Sequence, residues 1–197
     1  MNLVARAQAI ILKPKEEWVK IKGESTPVAQ LFMGYAAILA AIPAIAQFIG
    51  HGLIGISIPF VGAYRLDLGT ALIRAIVYYV LILASAYVFG MAINALAPSF
   101  GSKPSVENAM KLAVYSMTPA WIGGVFYIIP ALGILAILGS LYGLYVMYLG
   151  FSSPMMDTPK DKVMGYIVVS FVVVAVLMFV VGLVLGAVFA VGRLPGI

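Results

Sequence analysis

The run Leu112–Phe151, LAVYSMTPAWIGGVFYIIPALGILAILGSLYGLYVMYLGF, carries no charged residue. As a single helix these roughly 40 residues would be about 60 Å long, twice the hydrocarbon thickness of a bilayer. The run is therefore read as two spans, 112–130 and 131–151. The turn is placed at Pro130–Gly133, where a proline can end one helix and open the next. Within the first of these spans Pro119 removes a backbone donor. Ser116 and Thr118 are expected to bond the carbonyls left free, and Gly123 and Gly124 to let a neighbour pack at the bend.

Outward from this hairpin, three more runs have the length and polarity to cross a bilayer: 27–50, 71–97 and 163–191. The composition agrees. Of 197 residues 63% are hydrophobic and 10% charged, and the mean hydropathy is +1.10, whereas soluble domains carry about 25% charged residues. The expected fold is all-α, a polytopic membrane bundle of five transmembrane helices preceded by amino-terminal amphipathic interfacial helices. Residues 1–24 form that amphipathic part, 25–192 the membrane domain and 193–197 an outer tail. The segment His51–Tyr64, HGLIGISIPFVGAY, is apolar but too short and glycine-rich to span, and is read as an interfacial loop over the outer mouth.

The first 24 residues lack the unbroken apolar core of a secretory signal. Leu3, Ala7, Ile10, Pro14, Trp18 and Ile21 recur at helical spacing instead, beside a charged face. This predicts helices lying in the membrane plane, with Trp18 at headgroup depth and Arg6, Lys13, Lys15, Lys20 and Lys22 against lipid headgroups. The alternative is a stub that packs on the protein's own loops. Lysines and arginines set the orientation. Arg6, Lys13, Lys15, Lys20, Lys22, Lys103, Lys111, Lys160 and Lys162 fall on one side, Arg65, Arg74 and Arg193 on the other. The amino terminus is therefore expected in the cytoplasm and the carboxyl terminus outside.

Several function classes are disfavoured. There is no cysteine and one histidine, His51, so thiolate sites and histidine-rich metal sites are unsupported. No Walker loop or Gly-x-Ser-x-Gly elbow occurs. All seven carboxylates lie in termini or loops, while a proton-driven transporter ordinarily places one deep in a span. Arg74 is shallow enough to snorkel, and Asp67 is close enough in sequence to pair with it or with Arg65. No enzymatic role, cofactor or metal is expected, and the net charge of +5 points to topology and anionic lipid, not to nucleic acid.

Two patterns remain. Gly139-x-x-x-Gly143 and Gly182-x-x-x-Gly186, the latter extended by Ala190, are small-residue stripes that let helices approach closely. They fit packing of the fourth and fifth spans or, alternatively, a homodimer seam. Tyr142, Tyr145 and Tyr148 stand three apart late in the fourth span, and Tyr35, Tyr115 and Tyr166 fall toward the same side. An aromatic belt accounts for most such residues. Tyr142 and Tyr145 lie deeper, and with Tyr115, Ser116, Thr118, Pro119 and Ser140 they form a candidate polar cavity or kink.

The lead-in KPKEEWVKI, Tyr115-Ser116 followed by Pro119, then Pro130 and the tyrosine-rich fourth span resemble the Yip (Ypt-interacting protein) family in its short prokaryotic form. The resemblance covers nearly the whole chain. It implies the five-span topology and a prokaryotic plasma membrane. Eukaryotic members contact Rab-type GTPases and are linked to vesicle budding and organelle shape. Their Asp-Leu-Tyr-Gly-Pro motif is missing here, its nearest echo being Asp67-Leu68-Gly69, so Rab contact is not carried over. The expected function is a non-enzymatic membrane protein that organises membrane or binds a partner, with lipids and either a protein partner or a second copy as contacts. The alternative is a small-solute or ion transporter with a Tyr/Ser-lined cavity.

Overall fold

The computed structural model describes residues 2–58, 62–152 and 155–191, and their side chains except at 56–58, 62–64, 152 and 188–191. The expected outer tail 193–197, Arg193 and the side chain of Ala190 lie outside that set.

Helix α1 (Leu3–Leu12) starts at Asn2, whose side chain accepts the Ala5 N–H at 3.2 Å. Helix α2 (Pro14–Gly23) opens on proline, with Glu16 and Glu17 in its first turn and Lys20 and Lys22 in its last. Both charge placements suit the helix dipole. Helix α3 runs over Val28–Ile54, four residues past the expected end, and contains π-helical turns at Phe32–Ala36 and Ile49–Ile54. A two-stranded hairpin follows, β1 (Ile56–Ile58) against β2 (Gly62–Tyr64), with Ser57 opposite Ala63.

Helix α4 (Leu68–Leu96) is capped by Asp67, which accepts the Thr70 N–H at 2.9 Å. The Asp67 carboxylate, close enough in sequence to pair with Arg65 or Arg74, serves as this cap. The bonds to Thr70 hold its carboxyl below the usual carboxylate range. A short 3-10 turn ends at Gly101, whose φ of +67° is a left-handed geometry that suits glycine. Helix α5 (Val106–Ser116) starts at Ser105, which accepts the Asn108 N–H at 3.3 Å. The chain breaks at Met117, and α6 (Thr118–Gly123) carries Pro119 in its first turn. Two 3-10 turns, Gly124–Ile128 and Pro130–Leu132, lead into α7 (Gly133–Ser152). The last helix is α8 (Val163–Val191).

Among the described residues four helices are long and apolar enough to cross a membrane: Val28–Ile54, Leu68–Phe100, Pro130–Phe151 and Val163–Ala187. The remaining expected span is not one helix but the broken path α5–α6. Close contacts nevertheless give its course. A Cβ at Gly150 would strike Leu112, one at Gly143 the Ser116 carbonyl, and one at Gly139 the Pro119 carbonyl. One chain rises as the other falls, so α5–α6 lies antiparallel along the length of α7, and the break between them falls at Ile129, just before Pro130. Against α3 the same path is parallel. Tyr35 meets Thr118, Pro43 meets Gly124, and Gly50 meets Tyr127.

Helices α3 and α4 are antiparallel, Phe32 lying beside Tyr87 and Gly52 beside Ala71. Helix α8 packs on α4, where the Tyr166 hydroxyl donates to the Ile93 carbonyl and its ring stacks on Phe100 at 4.7 Å. The described protein is a polytopic helical bundle of alternating passes.

Candidate functional site

The amino-terminal pair decides the chemistry of one end of the bundle. Helix α2 lies beside the second half of α7. The Trp18 indole N–H donates to the Val146 carbonyl at 3.0 Å, and Lys22 donates to the Met155 carbonyl at 3.1 Å. From the end of α1, the Ile11 carbonyl accepts the Tyr142 hydroxyl at 2.6 Å. Ala7, Ile10, Pro14, Trp18 and Ile21 are all buried. The apolar stripe therefore packs on the protein itself, and the headgroup position expected for Trp18 does not hold. A stripe records only that a face leaves water. Here a bundle surface supplies the cover.

Charge is built into this contact. Arg6 is 8% exposed and pairs with Glu17 and Glu24, so it is not a lipid-headgroup contact as expected. Burial by itself lowers the Arg6 pKa, but the hydrogen bond and charge of Glu24 with the charge of Glu17 leave it raised. Its guanidinium stands 5.7 Å from the centre of the Tyr115 ring. From α5, Lys111 is 1% exposed and donates to the carbonyls of Ile21 and Glu24. It also pairs with Glu107 at 2.7 Å. Glu107 in turn accepts the Thr26 N–H at 2.7 Å. These bonds, Lys111 first and Thr26 second, hold the Glu107 carboxyl below the usual range.

The Arg6 pairs with Glu17 and Glu24 thus tie α1 to α2, and Lys111 and Glu107 latch the pair to the bundle. Sequence reasoning assigned Arg6 and Lys111 to topology and did not foresee their pairing. The usable signal was Lys111 itself, set among Ala109, Met110, Leu112 and Ala113, where a charge needs a local partner.

Beside the latch a polar cleft of about 520 Å³ is lined by Asn2, Arg6, Glu17, Lys20, Glu24 and Gln30, among others. Lys13, Lys15 and Lys20 are exposed, and Lys22 is half-buried beside Asp157 at 3.4 Å.

The residues expected to form one polar cavity divide among three places. Tyr115 and Thr118 are buried with Tyr35. The Tyr35 and Thr118 hydroxyls are 2.8 Å apart and the two tyrosine rings 4.9 Å. Thr118 therefore bonds a tyrosine rather than the freed carbonyl expected of it. Ser116 and Ser140 line a cavity of about 390 Å³ inside the bundle. There Ser140 bonds the Ala136 carbonyl at 3.3 Å, while the buried Ser116 hydroxyl has no partner. Tyr142 reaches α1, and Tyr145 is 46% exposed.

Gly139 and Gly143 face the α5–α6 backbone, where added Cβ atoms would come within 2.5 and 2.8 Å of carbonyl oxygens. A Cβ added at Gly182 or Gly186 would meet nothing within 4 Å among the described residues, so these two glycines are not needed for close packing there.

A family profile described as the Yip1 domain matches residues 9–183. The chain is also similar to the inner membrane protein YohC of Escherichia coli strain K12. The two are 29% identical over 143 residues, which covers 71% of this chain and 73% of that protein. The YohC protein of Escherichia coli O6:H1 matches to the same extent. No solved structure matches.

Proposed function

The chain belongs to the Yip1 domain family, and from that premise we propose that it is a non-enzymatic, five-crossing protein of a prokaryotic plasma membrane. Its cytoplasmic cap, α1 and α2, organises the membrane surface or holds a protein partner. The observation that carries this reading is the two-faced cap. One face is fixed to the bundle by Trp18 and Lys111, while Arg6 ties α1 to α2; Lys13, Lys15 and Lys20 are exposed, the last also paired with Glu17 at 3.4 Å. Basic residues near an anionic leaflet contribute about 1 kcal/mol each.

The alternating passes support five crossings, with α5–α6 as the third. The exposed Tyr145 and Tyr148 mark the inner boundary on α7. From Pro130 to Tyr148 is about 28 Å of helix, close to the hydrocarbon thickness. Lys13 and Lys15 then stand at headgroup level, next to α7. Lys111 and Glu107, beyond the Leu112–Gly150 contact, lie on the cytoplasmic side of that boundary, while Arg6, over Tyr115, stands at its level and is buried in protein rather than in hydrocarbon. The loops bearing Lys103 and Lys160 meet at the same end, since Ser102 and Thr158 are hydrogen-bonded at 2.8 Å. That grouping supports a cytoplasmic position for the lysine-rich side. YohC's description as an inner membrane protein supports the same compartment.

Reconstitution of the purified protein into anionic liposomes tests the proposal. Changes in vesicle shape, or capture of a purified partner, without solute flux are the expected result. Solute flux would favour the transporter reading, for which the serine-lined cavity is the supporting feature.

A further inference from the structure

The cavity inside the bundle is a mainly apolar slot in which one buried polar atom has no partner among the described residues; Ser140, also on its wall, bonds the Ala136 carbonyl. It runs along α4 from Tyr78 to Phe89, eleven residues and so about 16 Å. A volume of about 390 Å³ over that length gives a mean cross-section of about 24 Å². A slot of this length and section admits an extended alkyl chain. The walls are apolar and aromatic, with Trp121 and Tyr127 contributed by the third pass. Leu141 on α7 and Phe171 and Met178 on α8 line the slot while remaining 56%, 46% and 43% exposed. The opening therefore faces sideways, between α7 and α8, toward lipid.

The unpartnered group is Ser116. It is 5% exposed and lines the slot, and its hydroxyl has no hydrogen-bond partner among the described residues. A buried, unpaired hydroxyl is unfavourable in an apolar medium. Its level follows from its contact with Gly143, about one turn inside the boundary that Tyr145 and Tyr148 define. An acyl chain entering from the cytoplasmic leaflet brings its carbonyl to about this depth, and that carbonyl can accept the Ser116 proton.

We propose that the slot between α4, the α5–α6 path, α7 and α8 is a binding site for one acyl chain, its carbonyl hydrogen-bonded to Ser116 and its tail running outward past Trp121 toward Tyr127. The inference rests on the membrane embedding of the bundle and is independent of what the amino-terminal cap binds. A phospholipid chain and a free fatty acid share this chemistry, so the probe must distinguish them.

The chain holds two tryptophans, and Trp18→Phe leaves Trp121 in the slot as sole reporter. That variant is reconstituted in nanodiscs with phosphatidylglycerol brominated on its acyl chains, or with brominated oleate in unbrominated lipid. Saturable quenching of Trp121 is expected from at least one probe, and the more effective probe identifies the source. Ser116→Ala should weaken that binding about fivefold to tenfold. Ala175→Phe, which fills the slot from α8, should abolish the saturable part while leaving the melting temperature within a few degrees. Quenching that rises linearly with bromine content would overturn the proposal. So would equal quenching in the Trp18→Phe protein with and without Ala175→Phe, or a Ser116→Ala variant that binds as tightly as its parent.

Discussion

Arg6 is the residue on which the amino-terminal cap most depends. Removing it leaves Glu17, itself 5% exposed, as a buried charge with the exposed Lys20 at 3.4 Å in place of its arginine. Such losses cost about 3–5 kcal/mol, and the partly exposed Glu24 points to the lower end. Arg6→Ala should therefore destabilise the protein by about 3 kcal/mol and open residues 2–24 to protease. Arg6→Lys should recover only part of this, because an ammonium cannot reach both carboxylates with a planar fork. Thermal unfolding in detergent, with limited proteolysis of the same samples, measures both effects. The Glu107 carboxyl gives the cap a pH dependence of known sign. Its folded pKa lies below the ordinary 4.5, so its contribution is complete above that value and is lost as pH falls through the lower, folded one. Amide exchange of residues 14–26 should accelerate in that acid window, and Glu107→Gln should remove the carboxylate's part of the dependence. Little at this scale was legible beforehand. Lysines and arginines were countable, but ion pairs joining residues 6 to 17 and 24 have no sequence spacing that announces them.

At the scale of elements, the helices and the break beside Pro130 were readable because length and proline leave few choices in a bilayer. The fate of an amphipathic face was not, since lipid and a bundle surface select the same apolar stripe. The two glycine stripes make the same point, being alike in sequence and different in surroundings. A Cβ at Gly139 would lie 2.5 Å from the Pro119 carbonyl, and one at Gly182 would meet nothing within 4 Å. Gly139→Ala should cost about 1–3 kcal/mol through forced separation of α6 and α7. Gly182→Ala should leave stability level or raise it by a few tenths through helix propensity. Melting temperatures of the two variants, purified in one detergent, make the comparison. The break at Met117 bears on the same pairing. Pro119 already sits in the first turn of α6, where a proline forfeits few bonds. Pro119→Ala should consequently fold and insert normally, with its melting temperature within a few degrees of wild type.

For the whole molecule, the alternation of passes and the gathering of basic loops at one end imply a single sidedness. Reporter tags at Met1 and in the loops at Lys103 and Lys160 should read cytoplasm, and a tag at Arg65 should read outside. The central claim is that the amino-terminal helices form a docked cytoplasmic cap rather than lying free on lipid. The chain has no cysteine, so a single introduced pair can report on it without background. Lys22 on α2 and Asp157, beyond α7, are joined at 3.4 Å in the docked state. With Lys22→Cys and Asp157→Cys in native membranes, a short thiol-to-thiol crosslinker should join the two sites in most molecules. A membrane-impermeant thiol reagent should prevent this in inside-out vesicles and not in intact cells. Absence of the crosslink in folded protein, or protection of the pair from the reagent in inside-out vesicles, would contradict the docked cap.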